Sequence, residues 1–146
     1  MSEFISNMKK FFLLIFIVCF TCDEVFSAVA IVSLLPNPTW DDTLWEDIEL
    51  ENMSCENVDI GHYSLSDLSG KSYIIPEAST IGSHEKRQFP YTETKITLNN
   101  SWEESIFLNY KDWRMLDTFS YSWTQKENVV LSISFQDESC SITDNT

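Results

Sequence analysis

The sequence predicts an all-β fold, a sandwich of two sheets made from eight or nine short strands. Segments rich in β-branched and aromatic residues recur about every eight to twelve residues, with turn residues between them. Residues 44–52 alternate, with Ile48 and Leu50 on one face and acidic side chains on the other, as in a half-buried antiparallel strand. After residue 28, no segment shows a convincing amphipathic helical period.

Residues 1–28 have the features of a secretory signal peptide. Two lysines precede ten apolar residues, 11–20, and the segment ends in small residues. The apolar run is about half of the roughly 20 residues that a membrane-spanning helix needs. We therefore expect a signal-peptide helix, export, and cleavage after Ala28, with Ala30 as the alternative site. An uncleaved anchor and a lipoprotein attached through Cys22 are the rival interpretations.

Residues 29–136 are predicted to form the sandwich, with residues 137–146 as a C-terminal tail. The nine candidate strands, in order, are 29–35, 44–52, 58–67, 71–75, 87–91, 95–98, 105–108, 116–123 and 129–135. Turns are predicted at 67–70, 80–83 and 110–112. The strand at 87–91 is expected at a sheet edge, because Pro90 cannot donate a hydrogen bond to a central ladder.

The segment 58–67 changes phase near its centre. Its apolar alternation before Gly61 is out of step with the alternation after His62. A bulge or a turn at Gly61-His62 would account for the change.

The formal net charge is −14, from 23 acidic and 9 basic residues. Such a surface repels phosphates, so we expect no binding to nucleic acid or to an anionic membrane. It suits cationic partners or divalent cations, and the plain alternative is a solvated acidic surface.

Removal of residues 1–28 takes two of the four cysteines and leaves Cys55 and Cys140. An even pair in an oxidising compartment is expected to form a disulfide, and the alternative is two unpaired thiols. In the loop-entropy model this long loop would add about 4 kcal/mol to the free energy of unfolding.

Six short motifs follow one another along residues 34–121. They are Leu-Leu-Pro-Asn-Pro at 34–38, Ile-Glu-Leu-Glu-Asn at 48–52, and the segments 58–67, 69–76, 96–100 and 116–121. In this order they resemble the lamin-tail domain, an Ig-like module of nuclear lamins that also occurs in exported bacterial proteins. The resemblance implies an Ig-like β-sandwich, an envelope or extracellular setting, and no enzymatic activity.

The chain departs from the family pattern at the centre of the third motif. Where the family favours Gly before an aromatic residue, this chain has His62, with Gly61 one place earlier and Tyr63 as the aromatic. A backbone with positive φ at this point would therefore carry a His side chain, which tolerates that conformation better than most.

No catalytic motif is present in the sequence. His62 and His84 fall in separate turns, and the only Cys-x-x-Cys, at residues 19–22, lies inside the predicted signal peptide. We therefore expect a protein that is not an enzyme and that needs no cofactor.

An acidic stretch is the best candidate for a metal site. Asp41, Asp42, Glu46 and Asp47 could supply carboxylate oxygens to Ca²⁺ from a loop and the adjoining strand. Their spacing matches no EF-hand loop, and a solvated acidic face is the alternative.

Exposed aromatic side chains are the second candidate site. Trp40, Trp102 and Trp113 are the proposed binding-surface residues, because Trp102 and Trp113 fall in predicted turns beside charges. Such residues bind carbohydrate or a protein partner. The alternative is that they cover the ends of the sandwich.

The resulting functional hypothesis is a non-catalytic module, secreted or held at the cell envelope, that binds a protein or carbohydrate partner at the cell surface. Two alternatives remain open: a calcium-stabilised structural domain, and an accessory domain of a larger secreted enzyme such as a nuclease.

Overall fold

The computed structural model describes residues 27–39, 41–100, 102–122 and 126–135. The described residues form an all-β fold, as predicted, with ten strands and two single-turn helices. In chain order these are β1 (Val29–Leu35), α1 (Asp42–Trp45), β2 (Asp47–Asn52), β3 (Val58–Asp59), β4 (Ser64–Ser66), β5 (Ser72–Ile74), β6 (Thr80–Ile81), β7 (Lys86–Pro90), α2 (Tyr91–Thr94), β8 (Glu104–Asn109), β9 (Met115–Tyr121) and β10 (Leu131–Ser132). The predicted signal-peptide helix and the tail at 137–146 lie outside the described residues.

The strands form two four-stranded sheets and one small ribbon, and every pair is antiparallel. The first sheet has the order β10-β1-β2-β7 and the second the order β5-β4-β8-β9, while β3 pairs with β6. β7 lies at an edge of its sheet, as Pro90 predicts.

One hydrophobic core draws side chains from both four-stranded sheets. Ile31 and Leu50 come from the first sheet, and Leu65 and Ile106 come from the second. β2 shows the predicted alternation, with Ile48 and Leu50 buried and its acidic residues half-buried on the opposite face. The apolar period in the sequence therefore marks the face that meets this core.

The strand predicted at 44–52 begins later, at Asp47, because the chain first makes the helical turn α1. The amide of Leu44 donates to the carbonyl of Asp41 at 2.9 Å. Glu46 follows this turn and is only 1% exposed. Its Oε2 accepts the amide of Leu98 at 3.1 Å, so this acid has a structural role.

The strand predicted at 95–98 is wrong, although its alternation reports burial correctly. Ile96 and Leu98 are buried, but their amides donate to side chains, Thr94 Oγ1 and Glu46 Oε2, and not to a neighbouring strand. Side-chain oxygens thus accept the hydrogen bonds of backbone amides in a buried segment that belongs to no sheet.

Two other predicted boundaries are corrected. Thr80 and Ile81 form β6 and pair with β3, so the turn predicted at 80–83 begins only at Gly82, whose carbonyl accepts the amide of Glu85. Within the strand predicted at 129–135, only Leu131–Ser132 pairs, with β1.

The described residues contain no helix that is long and apolar enough to cross a membrane.

Candidate functional site

The turn between β8 and β9 holds Trp113 out into solvent. The amide of Trp113 donates to the carbonyl of Tyr110 at 2.8 Å, and the amide of Tyr110 donates to the carbonyl of Arg114 at 2.8 Å. Asp112 Oδ1 accepts the amide of Arg114 at 3.1 Å. Trp113 has a φ of 65° and is 65% exposed. Bulky residues rarely adopt this left-handed backbone conformation because it is strained. Here the exposed Trp113 side chain makes few packing contacts that would offset the strain.

A second turn, at Gly61-His62, leads into β4 beside the first, as the phase change predicted. The amide of His62 donates to the carbonyl of Ile75 at 2.9 Å, and His62 has a φ of 66°. Gly61 is required for its small size, because a Cβ there would lie 3.0 Å from Asp59 Oδ1 and 3.2 Å from the amide nitrogen of Ala78.

Sheet pairing brings these two turns together. Ser64 of β4 lies opposite Asn109 of β8, next to the β8–β9 turn. The result is a surface groove of about 340 Å³, which we call the hairpin groove; it is lined by His62, Ser64, Ile74, Tyr110, Lys111 and Trp113. Tyr110 packs edge-on against Tyr63, with ring centroids 5.0 Å apart. The aromatic wall of the groove is therefore anchored on the core.

The hairpin groove contains a buried hydroxyl group without a partner. Ser64 is 3% exposed, and its Oγ has no hydrogen bond. Leaving such a group unsatisfied costs about 1–3 kcal/mol. This oxygen is itself buried, so an entering ligand does not reach it in this conformation. His62 lines the same groove, but no hydrogen bond joins its ring to Ser64 Oγ, and a nucleophile–base pair would require one.

The charge of the hairpin groove is opposite to that of the protein. Lys111 Nζ lies 5.3 Å and Arg114 Cζ 5.4 Å from the centroid of the Tyr110 ring, so two cations are held at this turn. None of the six lining residues is acidic. Arg114 also acts on Tyr63, whose pKa is raised first by burial and then by Tyr110 and Asp59, while the guanidinium opposes the rise.

The predicted tryptophan surface is only partly assembled. Trp102 is 76% exposed, but it precedes β8 while Trp113 follows it. The six residues of β8 separate them by roughly 20 Å, so the two tryptophans do not share a surface. Trp40 lies outside the described residues.

The predicted calcium ligands do not form a visible cluster. Within the described part of the chain, no group of three or more His, Cys, Asp or Glu side chains is placed to hold a metal ion. Glu46 is turned inward to Leu98, whereas Asp47 starts β2 on the opposite face. Asp41 is exposed, and the side chain of Asp42 lies outside the description. The calcium site stays a prediction, which thermal melts with Ca²⁺ and then chelator would test.

Asp47 has a pKa well above the ordinary value for an aspartate. Burial, and next the nearby charge of Glu49, raise its pKa from 3.8 to about 6, although the amides of Ile48 and Phe89 oppose the rise. Its Oδ1 is buried without a hydrogen bond. The folded protein therefore holds the proton of this carboxyl group to a higher pH than an exposed aspartate does.

Cys55 lies exposed in the turn after β2, with its Sγ 4.0 Å from Nε2 of His84. Cys140 lies outside the described residues. The pairing of Cys55 with Cys140 therefore stays a prediction.

A second groove, of about 430 Å³, lies on the outer face of the first sheet, with Val130, Phe135 and Glu49 among its lining residues. Its only lysine is already shared by two carboxylates, because Lys86 Nζ lies 3.5 Å from Glu49 and 3.6 Å from Glu51. This groove has neither an unpartnered buried hydroxyl in its lining nor a bulky residue on strained backbone. The hairpin groove is therefore the stronger site candidate.

The place of Trp113 in a charged turn predicts it as a site residue from the sequence. The other residues that line the hairpin groove were not predicted. In the sequence, Ser64 and Ile74 look like ordinary strand residues, and Tyr110 looks like an ordinary turn residue. They become a site only when β4, β5 and β8 pair side by side.

No protein-family model matches this chain, and no curated protein is similar to it.

Proposed function

We propose that this protein is an exported, non-catalytic binding module, an Ig-like β-sandwich of the lamin-tail type, which holds a saccharide in the hairpin groove. Two antiparallel four-stranded sheets around one core support the sandwich assignment. The signal-peptide features of residues 1–28 support export.

The observation that carries the proposal is Trp113. Left-handed backbone costs an L-residue roughly 1–2 kcal/mol, and Asn or Gly would occupy this turn position at less cost. The indole of Trp113 is mostly exposed to solvent, so the little surface that it buries does not offset that cost. Strained residues of this kind cluster at binding sites, where function maintains them.

The lining of the hairpin groove suits a sugar. The flat indole of Trp113 and the ring of Tyr110 offer apolar surfaces, while the His62 ring and the Lys111 ammonium offer hydrogen-bonding groups. A sugar ring likewise combines apolar C–H faces with hydroxyl groups at its edge. The volume of about 340 Å³ is at the lower end of the range for small-ligand sites.

The test compares Trp113→Asn with Trp102→Asn in the protein that begins at Val29. Both variants remove an exposed indole, but only Trp113 lines the hairpin groove. We expect Trp113→Asn to be as stable as the parent, or up to about 1 kcal/mol more stable, because Asn tolerates positive φ. On an array of immobilised neutral and acidic oligosaccharides, Trp113→Asn should lose the binding that Trp102→Asn keeps.

A loss of stability of more than about 1 kcal/mol in Trp113→Asn would show that Trp113 is a packing residue and would remove the basis of the proposal. Equal array binding by both variants would place the site elsewhere.

A further inference from the structure

We infer that the saccharide bound in the hairpin groove carries a carboxylate, which pairs with Lys111 and Arg114 at the rim of the groove. This inference rests on the proposed function and names the class of ligand.

The first argument is the distribution of charge. Acidic residues outnumber basic ones by 23 to 9, yet Lys111 and Arg114 lie three positions apart in one turn. Neither cation has an ion pair with any described carboxylate, whereas Lys86 contacts two. These two cations outnumber Asp112, the acid between them in the turn, and lie beside a groove lining without acids, so they make a local positive site on a negative molecule.

The second argument is that these cations are held in place. Both lie over the Tyr110 ring, which is itself packed against Tyr63. The nearest acid along the turn, Asp112, already accepts the amide of Arg114. The cations are thus positioned before a ligand arrives, which lowers the entropy cost of binding.

The third argument is geometric. A sugar ring stacked on Trp113 would lie beside Lys111, because both residues line the same groove. A carboxylate on the ring meets a lysine ammonium there, and the planar guanidinium of Arg114 matches carboxylate geometry.

The net charge limits the ligand further. A charge of −14 repels a polyanion over a Debye length of about 10 Å at moderate salt. The groove therefore fits a single acidic sugar within an otherwise neutral glycan.

The experiment is isothermal titration calorimetry of the protein that begins at Val29. The probes are a glucuronate-terminated oligosaccharide and the same oligosaccharide after reduction of its carboxyl group to the neutral alcohol. We expect the parent to bind the acidic form about tenfold more tightly than the neutral form. Lys111→Gln should reduce that preference to less than about threefold.

Lys95→Gln is the matched control, because Lys95 Nζ also lies over a tyrosine, 5.5 Å from the Tyr91 ring, but does not line the hairpin groove. It should keep the full preference. Equal affinity of the parent for both probes, or a full preference retained in Lys111→Gln, would overturn the carboxylate assignment. The proposed function would still stand in either case, provided that Trp113→Asn abolishes binding of both probes. Failure of the parent to bind either probe would overturn both proposals.

Discussion

At the residue scale, Asn52 shows how one side chain organises a loop. Its Nδ2 donates to the carbonyls of Glu56, Ile81 and Gly82, and its Oδ1 accepts the amide and hydroxyl of Ser54. Asn52 is fully buried at the end of β2. It therefore ties the 53–57 loop to the end of β6 and the residue that follows. Only the longer Gln also carries a side-chain amide, with two donor hydrogens and an acceptor oxygen.

Asp47 makes the stability of the folded protein depend on pH. Its pKa is about 6 in the folded protein, against an ordinary value of 3.8, so the folded state binds this proton more tightly than the unfolded state does. The stabilisation is fully present below about pH 4 and is lost as the pH rises through 6. We expect Asp47→Asn to gain about 1 kcal/mol at pH 7, allowing for solvent screening at this half-buried site. Urea denaturation at pH 4, 5, 6 and 7 measures it.

The control for Asp47→Asn is Glu127→Gln, which removes one negative charge from an exposed turn. The two variants separate the local effect from the general relief of acidic repulsion. If the gain of Asp47→Asn over the parent were the same at pH 4 and pH 7, burial of the charge would not be its cause.

At the element scale, β1 distinguishes the two predicted cleavage sites. Val29 and Ala30 are buried, and Val29 pairs with Asn52 at the far end of β2. The carbonyl of Ala28 accepts the amide of Met53 at 2.7 Å. Cleavage after Ala28 removes the hydrogen bonds between the Ser27 hydroxyl and the Val29 backbone and the bond from Met53 to Ala28. Cleavage after Ala30 removes two core side chains as well.

We therefore expect a protein that begins at Ile31 to unfold about 2–4 kcal/mol more easily than one that begins at Val29. Chemical denaturation of the two purified proteins gives the difference, and the intact mass of the exported protein shows which start is used. Equal stability, or an exported mass that starts at Ile31, would contradict the cleavage site assigned here.

At the scale of the whole molecule, the predicted Cys55–Cys140 disulfide would close a loop around most of the fold. We expect reduction, or replacement of both residues by Ser, to lower the free energy of unfolding by about 4 kcal/mol. Mass spectrometry after alkylation, with and without reductant, tests the bond itself. Alkylation of both thiols in the unreduced protein would show that the pair does not form.

The sequence by itself determined the features that depend on neighbouring residues. The alternation of β2, the turn at Gly61-His62 and the β8–β9 hairpin with its exposed Trp113 all follow from local periodicity and turn chemistry. These patterns are readable because a strand exposes alternate side chains and a turn tolerates few residue types.

Only the tertiary structure decided what depends on distant partners. Leu98 is extended and buried without joining a sheet because Glu46, 52 positions away, accepts its amide. The hairpin groove exists because β4 pairs with β8, which sets Ser64 beside the Tyr110 turn, while the length of β8 keeps Trp102 away from Trp113. Such pairings are chosen by burial of the whole core, and no local window of sequence contains that information.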